Sequence, residues 1–90
     1  MNTDPFNEWK DVLTAYPNPT SDFVDLFLKG DNVIEDIRIL DMMGKEMRSI
    51  HDINDISVRL DVSRLETGMY LLDVKTAKGP LTRKLMVVRY

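Results

Sequence analysis

The stretch ISVRLDV, residues 56–62, alternates apolar and polar side chains without a break. Its apolar members are Ile56, Val58, Leu60 and Val62, and a serine, an arginine and an aspartate stand between them. Because successive side chains of a β-strand point to opposite faces of the sheet, this period of two predicts a strand with one buried and one solvated face. No window of the sequence keeps the helical period long enough to compete with that interpretation.

Short apolar runs recur along the chain between turn-forming residues and predict an all-β domain. The expected strands are residues 12–16, 23–29, 34–41, 46–50, 56–62, 69–76 and 81–89. Such strands cannot bury their inner faces in one flat sheet, so the sequence predicts an Ig-like antiparallel β-sandwich of about seven strands. Residues 1–10 follow no period and are interpreted as a linker or lead-in, which leaves residues 11–90 as the folded domain.

Glycines mark two of the expected turns. Gly44, which follows Met42 and Met43, supplies the positive φ that a short hairpin loop requires. The two methionines either form an exposed sticky patch or fill gaps in the core, and the second interpretation is favoured. The turn Lys78-Gly79-Pro80 is expected to join the last two strands, with its proline placed where the missing N–H costs no ladder hydrogen bond.

The composition is that of one ordinary globular domain. The chain has 90 residues, of which 43% are hydrophobic and 30% charged, with a formal net charge of -3. These values exclude a disordered chain and disfavour a nucleic-acid partner. No cysteine is present, so disulfides, thiolate catalysis and cysteine zinc sites are excluded. The polar amino end does not resemble a signal peptide and no apolar run could span a bilayer, so stable membrane insertion is not expected.

His51 is the only histidine and therefore the first candidate for catalysis, with Ser49 and Ser57 as neighbouring hydroxyls. Nucleophilic catalysis needs a base within reach of the hydroxyl and a third group that holds the base inside a cleft. Nothing in the sequence orders such a trio, so His51 is interpreted as a solvated or locally bonded side chain. A small hydrolase that depends on His51 is accordingly the least supported hypothesis.

A short acidic run follows the histidine. Asp52, Asn54 and Asp55 resemble the start of a calcium-binding loop, but the glycine and the distal bidentate glutamate of an EF-hand are missing. Aspartate and asparagine also favour turns, because their side chains bond to nearby backbone. The sequence therefore predicts no metal ion and no other cofactor.

The carboxyl-terminal part of the chain is basic, whereas the front half is acidic. A solvated outer strand face explains such a charge run. The functional alternative is that a partner recognises the terminal strand, because a strand at a sheet edge presents unpaired backbone groups to which another strand can add. The same edge could pair two copies, so we expect a monomer or an edge-strand-mediated dimer. The basic residues are Lys75, Lys78, Arg83, Lys84 and Arg89.

Two segments are interpreted as folding devices. Pro17 and Pro19 fix φ and stiffen the approach to the first hairpin, while Asn18 between them tolerates turn geometry. In the segment LETGMY, residues 65–70, the leucine is expected to cap the core and the glycine to let the chain turn sharply. Tyr70 is expected to bury its ring and return its hydroxyl to the backbone, as in a tyrosine corner.

Five short motifs follow one another over residues 16–89. They are Tyr16-Pro17-Asn18-Pro19; Ile39-Leu40-Asp41 with Gly44-Lys45; residues 61–65, which end in Leu65; Gly68-Met69-Tyr70; and Lys84-Leu85-Met86-Val87-Val88-Arg89. Their order and spacing resemble the type A C-terminal sorting domain of type IX secretion cargo in Bacteroidetes, also called the Por secretion system C-terminal domain. The motif residues are therefore the candidates for recognition.

The resemblance implies a secretion signal and not an enzyme. In this family the cargo precedes the domain in the same chain, reaches the periplasm by an amino-terminal signal, and passes the outer membrane when the translocon recognises the carboxyl-terminal domain. A sortase-like cysteine protease then usually cleaves ahead of the domain and joins the cargo to anionic lipopolysaccharide. The expected partners are the type IX translocon, this protease and a fused amino-terminal cargo domain. The expected location is secreted or at the cell surface, by way of the periplasm and outer membrane.

The alternative is a cell-surface module that binds carbohydrate or protein on the same sandwich. Sugar binding would use exposed aromatic rings as stacking platforms. Trp9 lies in the irregular lead-in and Tyr70 is expected to face inward, so Tyr16 and Tyr90 would be left and no clear platform is predicted.

Overall fold

Seven β-strands in two antiparallel sheets form the part of the chain that the computed structural model describes, residues 12–89. The three-stranded sheet has the order β1-β2-β5, and the four-stranded sheet has the order β4-β3-β6-β7. This architecture confirms the predicted all-β sandwich, whereas the predicted lead-in lies outside the described residues. The strands are β1 Leu13–Tyr16, β2 Phe23–Leu28, β3 Ile34–Leu40, β4 Glu46–Ile50, β5 Ser57–Asp61, β6 Gly68–Thr76 and β7 Gly79–Val87.

The core lies between the two sheets, where the apolar residues at every second strand position meet. Leu60 and Val62 are fully buried, as the alternation of residues 56–62 predicts. Within residues 12–89 no helix has the length and apolarity needed to cross a bilayer. The buried apolar residues are Leu13, Val24, Leu26, Leu28, Ile34, Ile37, Ile39, Leu60, Val62, Leu65, Tyr70, Leu72, Val74, Leu81, Leu85 and Val87.

Ile56 departs from the predicted alternation, since its side chain is 44% exposed. The chain crosses from one sheet to the other at this point: Asp55 pairs with Ile34 of the four-stranded sheet, and Ser57 begins β5 in the three-stranded sheet. The Ile56 carbonyl still accepts the Leu28 N–H of β2 at 2.7 Å, but Ile56 lies outside the paired register of β5, so its side chain does not follow the alternation. The prediction that Ile56 belongs to the buried face was therefore wrong.

The hairpin between β3 and β4 has the predicted turn chemistry. Gly44 has a φ of 87°, and the Asp41 carboxylate accepts hydrogen bonds from the backbone N–H groups of Met43 and Lys45 at 2.9 and 2.8 Å. Met42 and Met43 stand at the tip of the hairpin and are 59% and 93% exposed. The expectation that they fill core gaps was wrong, because the turn carries them beyond the facing sheet.

The hairpin between β6 and β7 is shifted from its predicted position. The turn consists of Ala77 and Lys78, and Gly79, with a φ of 131°, already pairs with Thr76. Pro80 is likewise inside β7, opposite Lys75. The strand therefore begins and ends two residues earlier than the expected range 81–89.

The segment before β6 contains the predicted tyrosine corner. The Tyr70 ring is buried, and its hydroxyl donates a hydrogen bond to the Glu66 carbonyl at 2.7 Å. Leu65 is also buried and joins the core. Gly68 begins β6 without a positive φ, and a Cβ at this position would meet only the Tyr70 ring at an ordinary 3.9 Å. The chain therefore turns here without requiring glycine.

Candidate recognition site

β7 is an edge strand, as predicted, because it ends the order β4-β3-β6-β7. It pairs with β6 along its whole length, from Gly79 opposite Thr76 to Val87 opposite Gly68. In an antiparallel strand the N–H and C=O of one residue point to the same neighbour, so every second residue of β7 presents its backbone to the outer edge. Hydrogen bonds at Lys84 and Met86 identify these outward residues as the even-numbered ones.

The outer edge of β7 is closed in its carboxyl-terminal half by residues 17–20, which we call the proline segment. The Asn18 carboxamide donates to the Lys84 carbonyl and accepts from the Met86 N–H, both at 3.0 Å. Thr20 then pairs in the parallel sense with Val87, donating its N–H to Met86 and accepting from Val88 at 2.9 Å. The first and last motifs of the sequence, 66 residues apart at Asn18 and Lys84, are thereby joined.

The proline segment has two further features. Both of its prolines follow cis peptide bonds, at Tyr16-Pro17 and Asn18-Pro19. The Thr20 side chain is buried, and its hydroxyl donates to the Phe23 carbonyl at the start of β2. The segment therefore bridges the two sheets: it leaves β1 of the three-stranded sheet and borders β7 of the four-stranded sheet.

The other half of the outer edge is open. Within residues 12–89, no hydrogen bond reaches the Pro80 carbonyl, the Thr82 N–H and carbonyl, or the Lys84 N–H from the outer side of the strand. Pro80 occupies an outward position, so its missing N–H removes no bond to β6, as the sequence predicts. A groove of about 560 Å³ runs beside these groups and is lined by Thr14, Ala15, Asn18, Leu71, Thr82, Arg83 and Lys84.

Arg89 anchors the chain directly after β7. Its guanidinium donates to the backbone carbonyls of Ser21, Val62 and Leu65, and its N–H donates to the Thr67 hydroxyl at 2.8 Å. These acceptors come from two connections between strands: Ser21 lies between β1 and β2, and the other three lie between β5 and β6. The terminal basic residue therefore points back onto the sandwich and closes its end.

The basic residues near the carboxyl terminus do not form one uniform face. Lys75, Lys78 and Lys84 are exposed, which fits the solvated strand face. Arg83 is half-buried and donates to the Leu13 carbonyl of β1, so it ties β7 to the neighbouring edge of the other sheet. Lys84 is thus the exposed cation that lies at the open part of the β7 edge.

The other motif residues lie in the core, in the β3–β4 hairpin or around the edge of β7. Leu65, Tyr70, Leu85 and Val87 lie in the core. Asp41, Gly44 and Lys45 form the β3–β4 hairpin, whose strand β4 is the opposite edge of the sheet from β7. Pro17, Asn18, Pro19, Lys84, Val88 and Arg89 are the motif residues that the structure gathers around the outer edge and end of β7.

The catalytic and metal candidates have local partners. His51 has a 63% exposed side chain and faces the Asp36 carboxylate, with 3.6 Å between Nδ1 and Oδ1. Asp52 and Asn54 have φ values of 58° and 49°, which makes them turn residues of the left-handed region. The Asp55 carboxylate accepts the N–H groups of the two residues that follow it. No group of metal-ligating side chains occurs in the part of the chain that the structure describes.

The outer face of the three-stranded sheet carries an ion pair and aromatic rings. Arg59 contacts Asp25 through two hydrogen bonds, of 2.7 and 3.0 Å, and its guanidinium lies 3.9 Å from the centre of the Phe23 ring. The hydrogen bond from Arg59 holds the pKa of Asp25 below the 3.8 of an unperturbed aspartate. Asp61, which lies on β5 with Arg59, has a lowered pKa because Ser63 donates to its carboxylate from both its hydroxyl and its N–H.

The lowered pKa values of Asp25 and Asp61 predict that the domain loses stability in acid. An aspartate with a lowered folded pKa stabilises the fold above its unfolded pKa, and this contribution is lost as the pH falls through the folded pKa. We expect the free energy of unfolding, from urea titrations at a series of pH values, to fall below pH about 4. The Asp25→Asn variant should show a shallower fall, whereas Asp31→Asn, at an exposed turn, should follow the wild type. Parallel curves for Asp25→Asn and the wild type would contradict the prediction.

Only part of this arrangement could be predicted from the sequence. The edge position of β7 and its hairpin with β6 were predicted from the sequence and agree with the strand order. The hydrogen bonds of Asn18 and Arg89 have no local signal, because each partner lies at least 22 residues away in the sequence. Prolines on both sides of a single asparagine were the only hint that this amide has a fixed position.

The comparisons with known proteins agree with the resemblance seen in the sequence. A family model described as a secretion system C-terminal sorting domain matches residues 14–88, which include all seven strands except the first residue of β1. A comparison with curated proteins finds no match.

Proposed function

Because the chain belongs to the family of secretion system C-terminal sorting domains, we propose that its machinery recognises β7 together with the proline segment that borders it. A domain of this family is a non-catalytic signal of the Por, or type IX, secretion system and targets its cargo for secretion across the outer membrane. Recognition must therefore use a surface of the folded domain. The location of this surface is inferred from the geometry of β7.

The observation that carries the proposal is the contact between Asn18 and β7. The carboxamide of Asn18 joins the first motif of the sequence to the last one, at Lys84 and Met86. The two motifs therefore make one continuous surface at a sheet edge, where backbone groups remain open to a partner. The core motif residues Leu85 and Val87 are fully buried and act by holding β7 in place.

The proposed partners are the type IX translocon and a sortase-like cysteine protease, with the cargo fused ahead of the domain. The boundary of the core supports a cut on the amino-terminal side: Leu13, at the start of β1, is only 1% exposed. A cut ahead of Leu13 would leave all seven strands in one piece. The cargo would then remain at the cell surface or in the medium without this domain.

The oligomeric state is tied to the same edge. A second copy could pair with β7 only where its backbone is open, so an edge-strand-mediated dimer would cover the surface proposed for the translocon. We therefore propose that the recognised form is a monomer.

A fusion experiment tests the proposed function. Residues 1–90 are joined to the carboxyl end of a reporter that carries an amino-terminal export signal, and the fusion is expressed in a bacterium with a type IX system. We expect the reporter outside the outer membrane, whereas the same reporter without the domain should stay in the periplasm. Retention of the fusion in the periplasm, with the domain shown to be folded by circular dichroism, would reject the proposal.

The binding-module alternative has one supporting observation. The outer face of the three-stranded sheet exposes three aromatic side chains, those of Tyr16, Phe23 and Phe27. The two phenylalanines flank Asp25 on the same face of β2, and Tyr16 pairs with Asp25 from β1. The Arg59 guanidinium already covers the Phe23 ring, which leaves Tyr16 and Phe27 as candidate platforms. Specific glycan binding by the chain that is lost in Tyr16→Ala would favour this second function.

A further inference from the structure

We propose that the recognising protein adds an extended strand to the outer edge of β7 between Pro80 and Lys84, with an acidic side chain placed against Lys84. This inference rests on the proposed function and specifies the partner's chemistry at the same site. It deepens that function by assigning the contact to backbone hydrogen bonds along five residues of one strand.

β7 presents a set of open backbone groups on its outer side. The Thr82 N–H and carbonyl, the Lys84 N–H and the Pro80 carbonyl alternate donor and acceptor along one line, and none has a partner on the outer side within residues 12–89. Such a line is what an added strand pairs with. A groove of about 560 Å³, lined by residues of β7 and β1, lies beside this line.

The chain itself already pairs with the neighbouring part of this edge in the proposed way. Asn18 places one amide against Lys84 and Met86 at hydrogen-bond distance, and Thr20 adds backbone pairing at Val87. An amide side chain thus stands in for the peptide group of a neighbouring strand. It also fixes where the partner's strand must stop, since the edge from the Lys84 carbonyl onward is occupied.

The other sheet edges are less suited to an added strand than β7. At the β1 edge the Leu13 carbonyl accepts a hydrogen bond from Arg83, and at the β5 edge the Asp61 carbonyl accepts one from Arg48. In β4 the pairing is irregular, with a register shift between Ile39 and Leu40 of its neighbour β3. Bulged edges resist strand addition, so β7 is the edge best suited to it.

The lining of the groove indicates the side-chain chemistry of the partner. The groove is lined by the small or apolar side chains of Ala15 and Leu71, the hydroxyls of Thr14 and Thr82, and the exposed ammonium of Lys84. The guanidinium of Arg83 is directed to the Leu13 carbonyl. A strand with one carboxylate facing Lys84 and small residues on either side matches this lining.

The test uses a proline that blocks the edge without changing its charge. In the export fusion, Thr82→Pro removes an outward N–H, and Pro80 shows that this edge accepts proline at an outward position. We expect export to fall about tenfold, which corresponds to a lost hydrogen bond and the clash of the ring with an added strand. The matched comparison, Thr82→Ala, also removes the hydroxyl but keeps the N–H, so the loss of export in Thr82→Pro beyond that in Thr82→Ala measures the effect of the blocked edge.

The outcomes separate this inference from the proposed function. Export of Thr82→Pro at the level of Thr82→Ala would overturn strand addition and leave the sorting function intact. Retention of the wild-type fusion would overturn the sorting function and this inference with it. If Thr82→Pro melts below the growth temperature, the pair Lys84→Glu and Lys78→Glu decides: selective loss of export for Lys84→Glu supports the inference, and equal export of the two overturns it.

Discussion

Replacing Leu85 with alanine is expected to lower the free energy of unfolding by about 2–5 kcal/mol. Leu85 lies in the middle of β7 opposite Tyr70 and is 0% exposed. The substitution removes apolar contacts and leaves a cavity between two sheets that cannot close fully around it. Since the whole stability of a small domain is about 5–15 kcal/mol, the variant should be partly unfolded at growth temperature. Urea titration of the full chain, followed by circular dichroism, measures the loss.

The next residue of the strand provides the control. Met86 pairs with Met69 and points to the opposite face of the sheet from Leu85, where it is half-buried. Met86→Ala should therefore cost less than half as much as Leu85→Ala. Equal losses would show that Leu85 does not occupy the core position described above. An export defect of Leu85→Ala, or of a deletion of residues 85–90, would then be a consequence of unfolding and would say nothing about which surface the machinery reads.

The strands and the two-sheet arrangement could be predicted because they depend on a local signal. In residues 56–62 each apolar side chain is separated from the next by one polar residue, and Leu60 and Val62 are indeed fully buried. The signal failed where the chain left a sheet. Ile56 lies in the crossing between sheets, and Met43 lies at a hairpin tip, so neither apolar side chain is carried into the core.

The recognition site could be predicted less well because it is assembled from distant segments. The sequence indicated that β7 is a terminal edge strand and that prolines stiffen the approach to β2. It could not indicate that Asn18 would cover Lys84 and Met86, because a side chain that replaces a neighbouring strand leaves no periodic trace. The same holds for Arg89, which the pattern placed among the basic residues of an exposed face and the structure directs onto three backbone carbonyls.

The Arg89→Met substitution is expected to lower the free energy of unfolding by about 2–4 kcal/mol, the second large effect. Methionine has a similar length but no donors, so the carbonyls of Ser21 and Leu65 lose the partner that Arg89 supplies, whereas the Val62 carbonyl keeps its bond from the Leu65 N–H. Carbonyls that are partly buried without a partner carry a desolvation penalty, and hydrogen bonds from a charged donor are the stronger kind. Urea titration gives the loss, and faster amide exchange at Val88, whose N–H is bonded to Thr20, should accompany it.

Arg64→Met is the matched control for this prediction. Arg64 is exposed and lies in the connection between β5 and β6 that also contains Val62 and Leu65. Its substitution should change the free energy of unfolding by no more than about 0.5 kcal/mol. Equal effects of the two substitutions would mean that Arg89 acts through charge alone and not through its three acceptors. Arg89→Lys separates the same possibilities, because lysine keeps the charge but cannot reach three carbonyls with a planar fork. If Arg89→Lys is destabilised nearly as much as Arg89→Met, the terminal arginine of the last motif is there to hold the end of β7 against the sandwich, and the partner's contact is left to the open edge between Pro80 and Lys84.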